Sequence, residues 1–351
     1  MHVISAMNVR DALPKAVKYL LNFGVKEETR NGNAIVARSP VCIHYHIPKQ
    51  HVLVNPVRDA NPFFHLMEAM WMLAGREDGA FLDHYIKDFS KTFGIHGVIP
   101  DAYGYRWRCR LGYDQLEEII DQLKDNPKTR QAVLEMWYDD LVSNYVIKPC
   151  NLTATFRIRN GLLDMTVFNR SNDLIWGACG ANAVHFSILQ EYIASMIGVQ
   201  LGQYWQISTN LHLYQKHIDM LQARIPHHLP PETYKEDLTL YAALKTPFYE
   251  FTEPLIRYPE SFDNEILETV EMIEDINKDL EIFDDNLSQP FLRDVVLPMA
   301  QAHRCYKNRA MVDAFEWMER VIAEDWKRAG IEWIKRRTSI RVGEAEYGQP
   351  A

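Results

Sequence analysis

No run of about eighteen consecutive apolar residues occurs in the 351-residue chain, so the sequence predicts no membrane-spanning helix. The opening Met1-His2-Val3-Ile4-Ser5 lacks the basic and apolar regions of a secretory leader, and the expectation is a cytoplasmic protein. Cysteines are few: five, an odd number with no Cys-x-x-Cys pair, which argues against a disulfide framework and a structural zinc site. His44 and His46 form a His-x-His without a third placed ligand, so no metal is expected. Positive charge is also short, with 38 Lys and Arg against 47 Asp and Glu and a net charge of −9. That balance argues against a surface made to coat nucleic acid. A few clustered arginines could still hold an anionic small molecule, because water screens a distant acidic surface. Internal repeats and low-complexity segments are missing too. What remains, 47% hydrophobic and 24% charged, is the composition of a soluble globular protein with one large domain or two of ordinary size.

Periodicity supplies the elements. Apolar positions Leu13, Val17, Leu20 and Leu21 predict a helix over Val9–Phe23 ending at Gly24. Glu28–Asn33 reads as an exposed turn and Val52–Val54 as a short strand. Asn61-Pro62 starts a helix over Phe63–Ala74, with Gly75 beyond its end. Glu68 lies inside that helix among Phe64, Leu66, Met67, Met70 and Trp71, on its polar flank or held for chemistry with a raised pKa. Asp101–Arg108 reads as an aromatic and basic loop. Asp114–Lys124 is an amphipathic helix closed by Asn126-Pro127, and Ala132–Trp137 a strand with Arg130 at its entrance.

The densest stretch is Pro149–Tyr214. Two alternating strands, Thr153–Ile158 and Leu162–Phe168, flank Asn160-Gly161, a strong short-range hairpin signal. Asn169–Asp173 and Trp176–Asn182 follow, then a helix over Ala183–Met196, a strand near Tyr204–Ser208 and the run Asn210–Tyr214. A thiol, a guanidinium, a hydroxyl, a carboxylate and an imidazole in one stretch point to a site for an anionic, hydrogen-bonding small molecule. After His217 the character changes. Pro226–Pro231 is a connection, Glu260–Asp285 is acidic, and Ile266–Phe283 and Ala310–Ala329 are long helices, the second stopped by Gly330. The expected organisation is a core over 1–217 with a mostly helical extension, 218–351, packed on it.

These motifs, in this order, resemble the thymidylate synthase family, including the phage pyrimidine hydroxymethylases of the same fold. Over about residues 10–217 they are Glu68-Ala69-Met70-Trp71 with Gly75, Tyr103-Gly104-x-x-Trp107-Arg108, Asp114-Gln115-Leu116 with Asn126-Pro127 and Arg130, Pro149-Cys150, Arg170-Ser171-x-Asp173, and His212-x-Tyr214. The resemblance implies an α+β fold with a large twisted mixed sheet, helices packed on it and a helical C-terminal extension. It implies one-carbon transfer from 5,10-methylenetetrahydrofolate to carbon 5 of a pyrimidine deoxynucleotide in a homodimer. Cys150 is then the nucleophile that adds to carbon 6, a chemistry that asks for a lowered thiol pKa, with Arg170 supplying the positive field. Glu68 manages proton transfer at the base carbonyl, Tyr103 serves proton removal, and Asp173 and Trp71 meet the folate; Asp173 could also cap the next helix. Arg30, Arg170 and Ser171 hold the phosphate with Arg130 from the partner chain, while His212 and Tyr214 hold the sugar. Cys42, Cys109 and Cys305 read as structural, and Cys179 has no assigned role.

Departures from the family pattern bear on which reaction is run. Asn151 stands where a synthase carries histidine, and Thr209-Asn210 replaces Gly-Asp before His212. The base-reading asparagine is not preceded by Pro-Phe: gap-free alignment puts Ala181 there, and a one-residue slip puts Asn182 there. Asn182 is favoured, because an unpaired pyrimidine edge is costly. No acidic residue lies between Ala178 and Ala183, which favours uracil over cytosine. The tail Glu344–Ala351 lacks the short apolar segment that shields hydride transfer. The expectation is therefore deoxyuridylate hydroxymethylation, in a host cytoplasm if the gene is a phage's. Thymidylate synthesis, deoxycytidylate hydroxymethylation and a non-catalytic nucleotide-binding relative stand as alternatives.

Overall fold

The structure is a computed structural model that describes residues 1–142, 147–224, 253–279 and 286–346, with side chains to residue 338. The Pro226–Pro231 connection, residues 280–285 and Tyr347–Ala351 lie outside the described residues.

In chain order the elements are β1 (His2–Ala6), α1 (Val9–Phe23), β2 (Val25–Thr29), β3 (Gly32–Val36), β4 (Val41–Tyr45), α2 (Pro62–Leu73), α3 (Ala80–Asp83), α4 (Phe89–Phe93), α5 (Tyr103–Arg108), α6 (Gln115–Asp125), β5 (Val133–Glu135), β6 (Asn151–Arg159), β7 (Leu162–Asn169) and β8 (Asn172–Asp173). A wide-turn helical segment, Leu174–Ala181, runs into α7 (Asn182–Ile197), followed by β9 (Gln200–Ser208), β10 (Leu211–Tyr214) and α8 (Gln215–Arg224). Last come α9 (Pro259–Asn277), α10 (Leu297–Lys307), α11 (Met311–Arg320) and α12 (Glu324–Glu346).

A six-stranded mixed sheet has the order β1-β4-β9-β7-β6-β5, and a smaller sheet the order β2-β3-β10-β8. The hairpin forms as its turn demands: Asn160 and Gly161 both take positive φ, 52° and 76°. Helix ends follow their caps, Asn8 accepting from the Asp11 amide, Asn61 from Phe64, and Asp114 from Leu116 and Glu117. Buried α7 lies against the large sheet, where the Gln190 carboxamide donates to the carbonyls of Leu163 and Gln203 at 2.8 and 3.1 Å. On its other side it meets α2. The later helices share this core: Phe63 of α2 packs on Trp333 and His303, with ring centroids 5.4 and 5.2 Å apart. Asp59 also binds Arg336 and Arg337. No helix among the described residues is long and apolar enough to cross a membrane.

Three elements differ from expectation. Val52–Val54 is not a strand, since Asn55 takes the amides of Val57 and Arg58 on its side-chain oxygen and turns the chain. The aromatic, basic stretch forms a helix over Tyr103–Arg108, with Arg106 buried against both carboxylate oxygens of Asp140 at 2.7 and 2.8 Å. The predicted Ala310–Ala329 helix is broken at Val321–Ala323, where the Ile322 amide bonds the Asp294 carbonyl, and α12 then passes through Gly330 instead of stopping there.

Candidate active site

The head of β6 meets the start of α5. Cys150 is partly buried just before the strand, and its backbone amide and that of Asn151 donate to the Tyr103 phenol oxygen at 2.9 and 3.1 Å. Arg170 returns to the same corner from the end of β7. Its guanidinium donates to the carbonyls of Pro149 (2.8 Å) and Lys148 (2.9 Å), and its backbone amide to the Cys150 carbonyl. The thiol is not lowered as the sequence led us to expect: burial pushes it above its ordinary value despite the opposing fields of Arg170 and Arg30, and Asp101 and Asp173 add to the rise. Arg170 is directed at main-chain oxygens and so steadies the loop carrying the thiol.

Glu68 comes up from α2. Burial, with the field of Asp101, pushes its carboxyl up to about 8, so it is mostly protonated at neutral pH. The buried Oε2 has no hydrogen-bond partner among the described residues; His185 Nε2 lies 3.3 Å away but is turned to the His65 carbonyl at 3.2 Å. Burial holds that imidazole down to about 3, hence neutral. A proton held on an unpartnered buried oxygen is available for transfer.

Asp173 caps the wide-turn segment, accepting from the amides of Ile175 (2.7 Å) and Trp176 (3.0 Å). Its other oxygen lies 3.3 Å from His217 Nδ1 without hydrogen-bond alignment. Burial works to raise this carboxyl, yet His217 and the Trp176 amide hold it below the ordinary range. On β10, His212 Nδ1 pairs with the Asn210 oxygen at 3.1 Å, and the Tyr214 hydroxyl accepts from Asn31 at 3.3 Å. Asn31 and the exposed Arg30 form the β2–β3 turn. Ser171 is half-buried between Arg170 and β8. At the disputed position the chain kinks: Cys179 and Gly180 leave helical geometry, and the Asn182 carboxamide meets that of Asn151, Nδ2 to Oδ1 at 3.2 Å and the reverse at 3.3 Å.

One residue expected in its own chain's site, Trp71, is not at this cluster. Trp71 is 2% exposed, its indole N–H bonded to the Asp78 carbonyl at 3.0 Å, so it offers the folate no open face. It points inward because α2 is buried on nearly all sides. Arg130 is exposed ahead of the edge strand β5, and no ion pair or hydrogen bond joins it to the Cys150 cluster among the described residues. Four others belong here that the motifs did not single out: Asp101, whose field reaches Cys150, Tyr103 and Glu68; His185; His217; and Trp176, 43% exposed beside Asp173 and packed on Phe64. Asp101 stands two residues before Tyr103 and His217 three after Tyr214, so proximity to the motifs was the available signal.

The sequence model of the thymidylate synthase family matches residues 13–247. The chain is 41% identical over 347 residues to the deoxyuridylate hydroxymethyltransferase of Pseudomonas phage M6, covering 96% of this chain and 95% of that protein. It is 39% identical over 197 residues to the deoxyuridylate hydroxymethyltransferase of Bacillus phage SP01, about half of each chain (52% and 51%). To the thymidylate synthase of varicella-zoster virus (strain Dumas) it is 26% identical over 239 residues, 60% of this chain and 78% of the viral protein.

Proposed function

Because the chain belongs to the thymidylate synthase family, we propose that it is an enzyme converting dUMP, 5,10-methylenetetrahydrofolate and water to 5-hydroxymethyl-dUMP and tetrahydrofolate. The observation that carries this reading is the corner where Asn151, directly after Cys150 in the chain, pairs its carboxamide with that of Asn182 while Tyr103 takes the backbone amides of both Cys150 and Asn151. The exposed Trp176 indole beside Asp173 fits a flat, polar-edged ring such as a pterin, and the bound folate would supply the one-carbon unit.

The Cys150 thiolate adds to carbon 6 of the uracil, and the displaced electron pair moves through carbon 5 onto the carbonyl at carbon 4. Arg30 and Arg170 supply positive field to that thiolate. Glu68, carrying its proton, relays one to the carbonyl through ordered water. Tyr103 holds the nucleophile loop through two amides and serves removal of the carbon 5 proton. Arg30, Arg170 and Ser171 gather the phosphate, and His212 and Tyr214 the sugar. Asn151, a polar amide where a synthase has histidine, favours an ordered water over hydride delivery at the carbon attached to carbon 5.

A two-fold dimer completes the site. On the sheet face away from α7, register aligns Ser5, His44, Trp205, Thr166, Thr155 and Val133 in one row. Val3, Val133 and Phe168 are 53%, 44% and 36% exposed there. Pairing two such faces would bury this apolar surface and bring Arg130, next to β5, to the partner's phosphate site. The mass of the nucleotide formed from dUMP tests the proposed reaction.

A further inference from the structure

A chain of carboxamides runs from the sheet to Asn182, and its direction is fixed at one end. Gln206 Nε2 lies 3.3 Å from the Ala178 carbonyl and 2.9 Å from the Tyr204 hydroxyl. A carbonyl can only accept, so the nitrogen of Gln206 must face it and Oε1 must face the other way. There Oε1 takes a bond from Asn172 Nδ2, which also donates to Ser208 Oγ at 3.1 Å. Asn172 Oδ1 in turn faces Asn182 Nδ2 at 3.2 Å. Asn182 Nδ2 spends its second hydrogen on Asn151 Oδ1. Every amide hydrogen of Gln206, Asn172 and Asn182 is then engaged. Gln206 is 0% and Asn172 3% exposed, so water does not compete for these bonds. Asn182 is only half-buried and, among the described residues, keeps one free group: a lone pair on Oδ1, whose other lone pair accepts from Asn151.

We propose that Asn172 and Gln206 are positioning residues that lock the Asn182 carboxamide with its oxygen outward, and so set the choice of uracil over cytosine. This rests on the proposed reading of the site as one for a pyrimidine deoxynucleotide. Uracil carries a hydrogen on N3 and meets the outward oxygen with a donor. Cytosine carries a lone pair on N3, so the same oxygen repels it and both groups stay unpaired. An unlocked amide would turn over and present its nitrogen, which suits cytosine. The lock depends on Asn172 accepting from Asn182, and that depends on Gln206 accepting from Asn172.

The test is kcat/KM for dUMP and dCMP in the wild-type chain and in Asn172→Leu and Gln206→Met, with calorimetric binding of both nucleotides alongside. The expected result is a dUMP-to-dCMP ratio reduced about ten- to a hundredfold, with kcat/KM for dCMP rising in absolute terms, which structural damage alone does not produce. Two variants are used so that one folded chain suffices, as judged by its thermal transition. An unchanged ratio in a folded variant, or equal losses for both nucleotides, overturns the lock and leaves the proposed reaction standing. A wild-type chain that prefers dCMP overturns both.

Discussion

The Tyr103 phenol oxygen accepts from two consecutive backbone amides, those of Cys150 and Asn151, at 2.9 and 3.1 Å. One side chain thus fixes both the residue proposed to attack the base and the amide proposed to order water. Tyr103→Phe keeps the ring and leaves two amides without their acceptor. We expect kcat to fall about a hundredfold, roughly 2.7 kcal/mol, with KM for dUMP changed less than kcat. Steady-state kinetics check it, and unchanged kcat would separate Tyr103 from the positioning of the nucleophile.

Glu68 should make the fold less stable as pH rises. Its folded carboxyl titrates at about 8 against an ordinary 4.5. Between those values the unfolded chain has released this proton and the folded chain still holds it, so the unfolded state gains. Glu68→Gln removes the effect. The variant's melting temperature relative to wild type should climb from about pH 5 to about pH 8 and then level off, while activity drops. A difference independent of pH across that window would mean that the carboxyl is not perturbed.

Subunit mixing tests the shared site. Cys150→Ala should retain the fold and dUMP binding while losing turnover, and Arg130→Ala should lose phosphate affinity. Hybrid dimers of the two inactive chains contain one site with neither lesion, and we expect them to recover part of the wild-type rate. Size-exclusion or mass analysis establishes subunit exchange, after which an absence of recovery contradicts a site completed by Arg130.

Gly330 lies at a helix crossing. A Cβ there would fall 2.5 Å from Met318 Cε and 3.3 Å from Phe63 Cζ. Gly330→Ala should therefore destabilise by about 1–3 kcal/mol despite alanine's better helix propensity, measurable as a lower denaturation midpoint. Stability equal to wild type would mean that Met318 moves aside freely.

That glycine marks a boundary of what the sequence made legible. Read locally, Gly330 is a helix stop, and only the approach of α12 to Phe63 and Met318 reveals why it sits inside a helix. The break before α12 is equally tertiary, since Val321-Ile322-Ala323 contains no breaker and the Ile322 amide is taken by Asp294. Elements with local causes were readable: the Asn160-Gly161 turn, the Asn61 and Asp114 caps, and the amphipathic α1 and α6. The same divide runs through the site. Motif order brought Cys150, Tyr103, Glu68, Arg170 and Asp173 into view. Side-chain direction was not readable, which is why Trp71 was expected to meet the folate and is found in the core. Nor could spacing anticipate the kink at Cys179 and Gly180, which brings the side chain of Asn182 to Asn151.

The central claim is that water, not hydride, completes the reaction. The direct measurement is one incubation of the purified chain with dUMP and methylenetetrahydrofolate, followed by near-ultraviolet absorbance for dihydrofolate and by product mass. We expect dUMP to be consumed without a dihydrofolate signal, giving a nucleotide one oxygen heavier than dTMP. Dihydrofolate rising in step with dTMP would contradict the account and make the chain a thymidylate synthase.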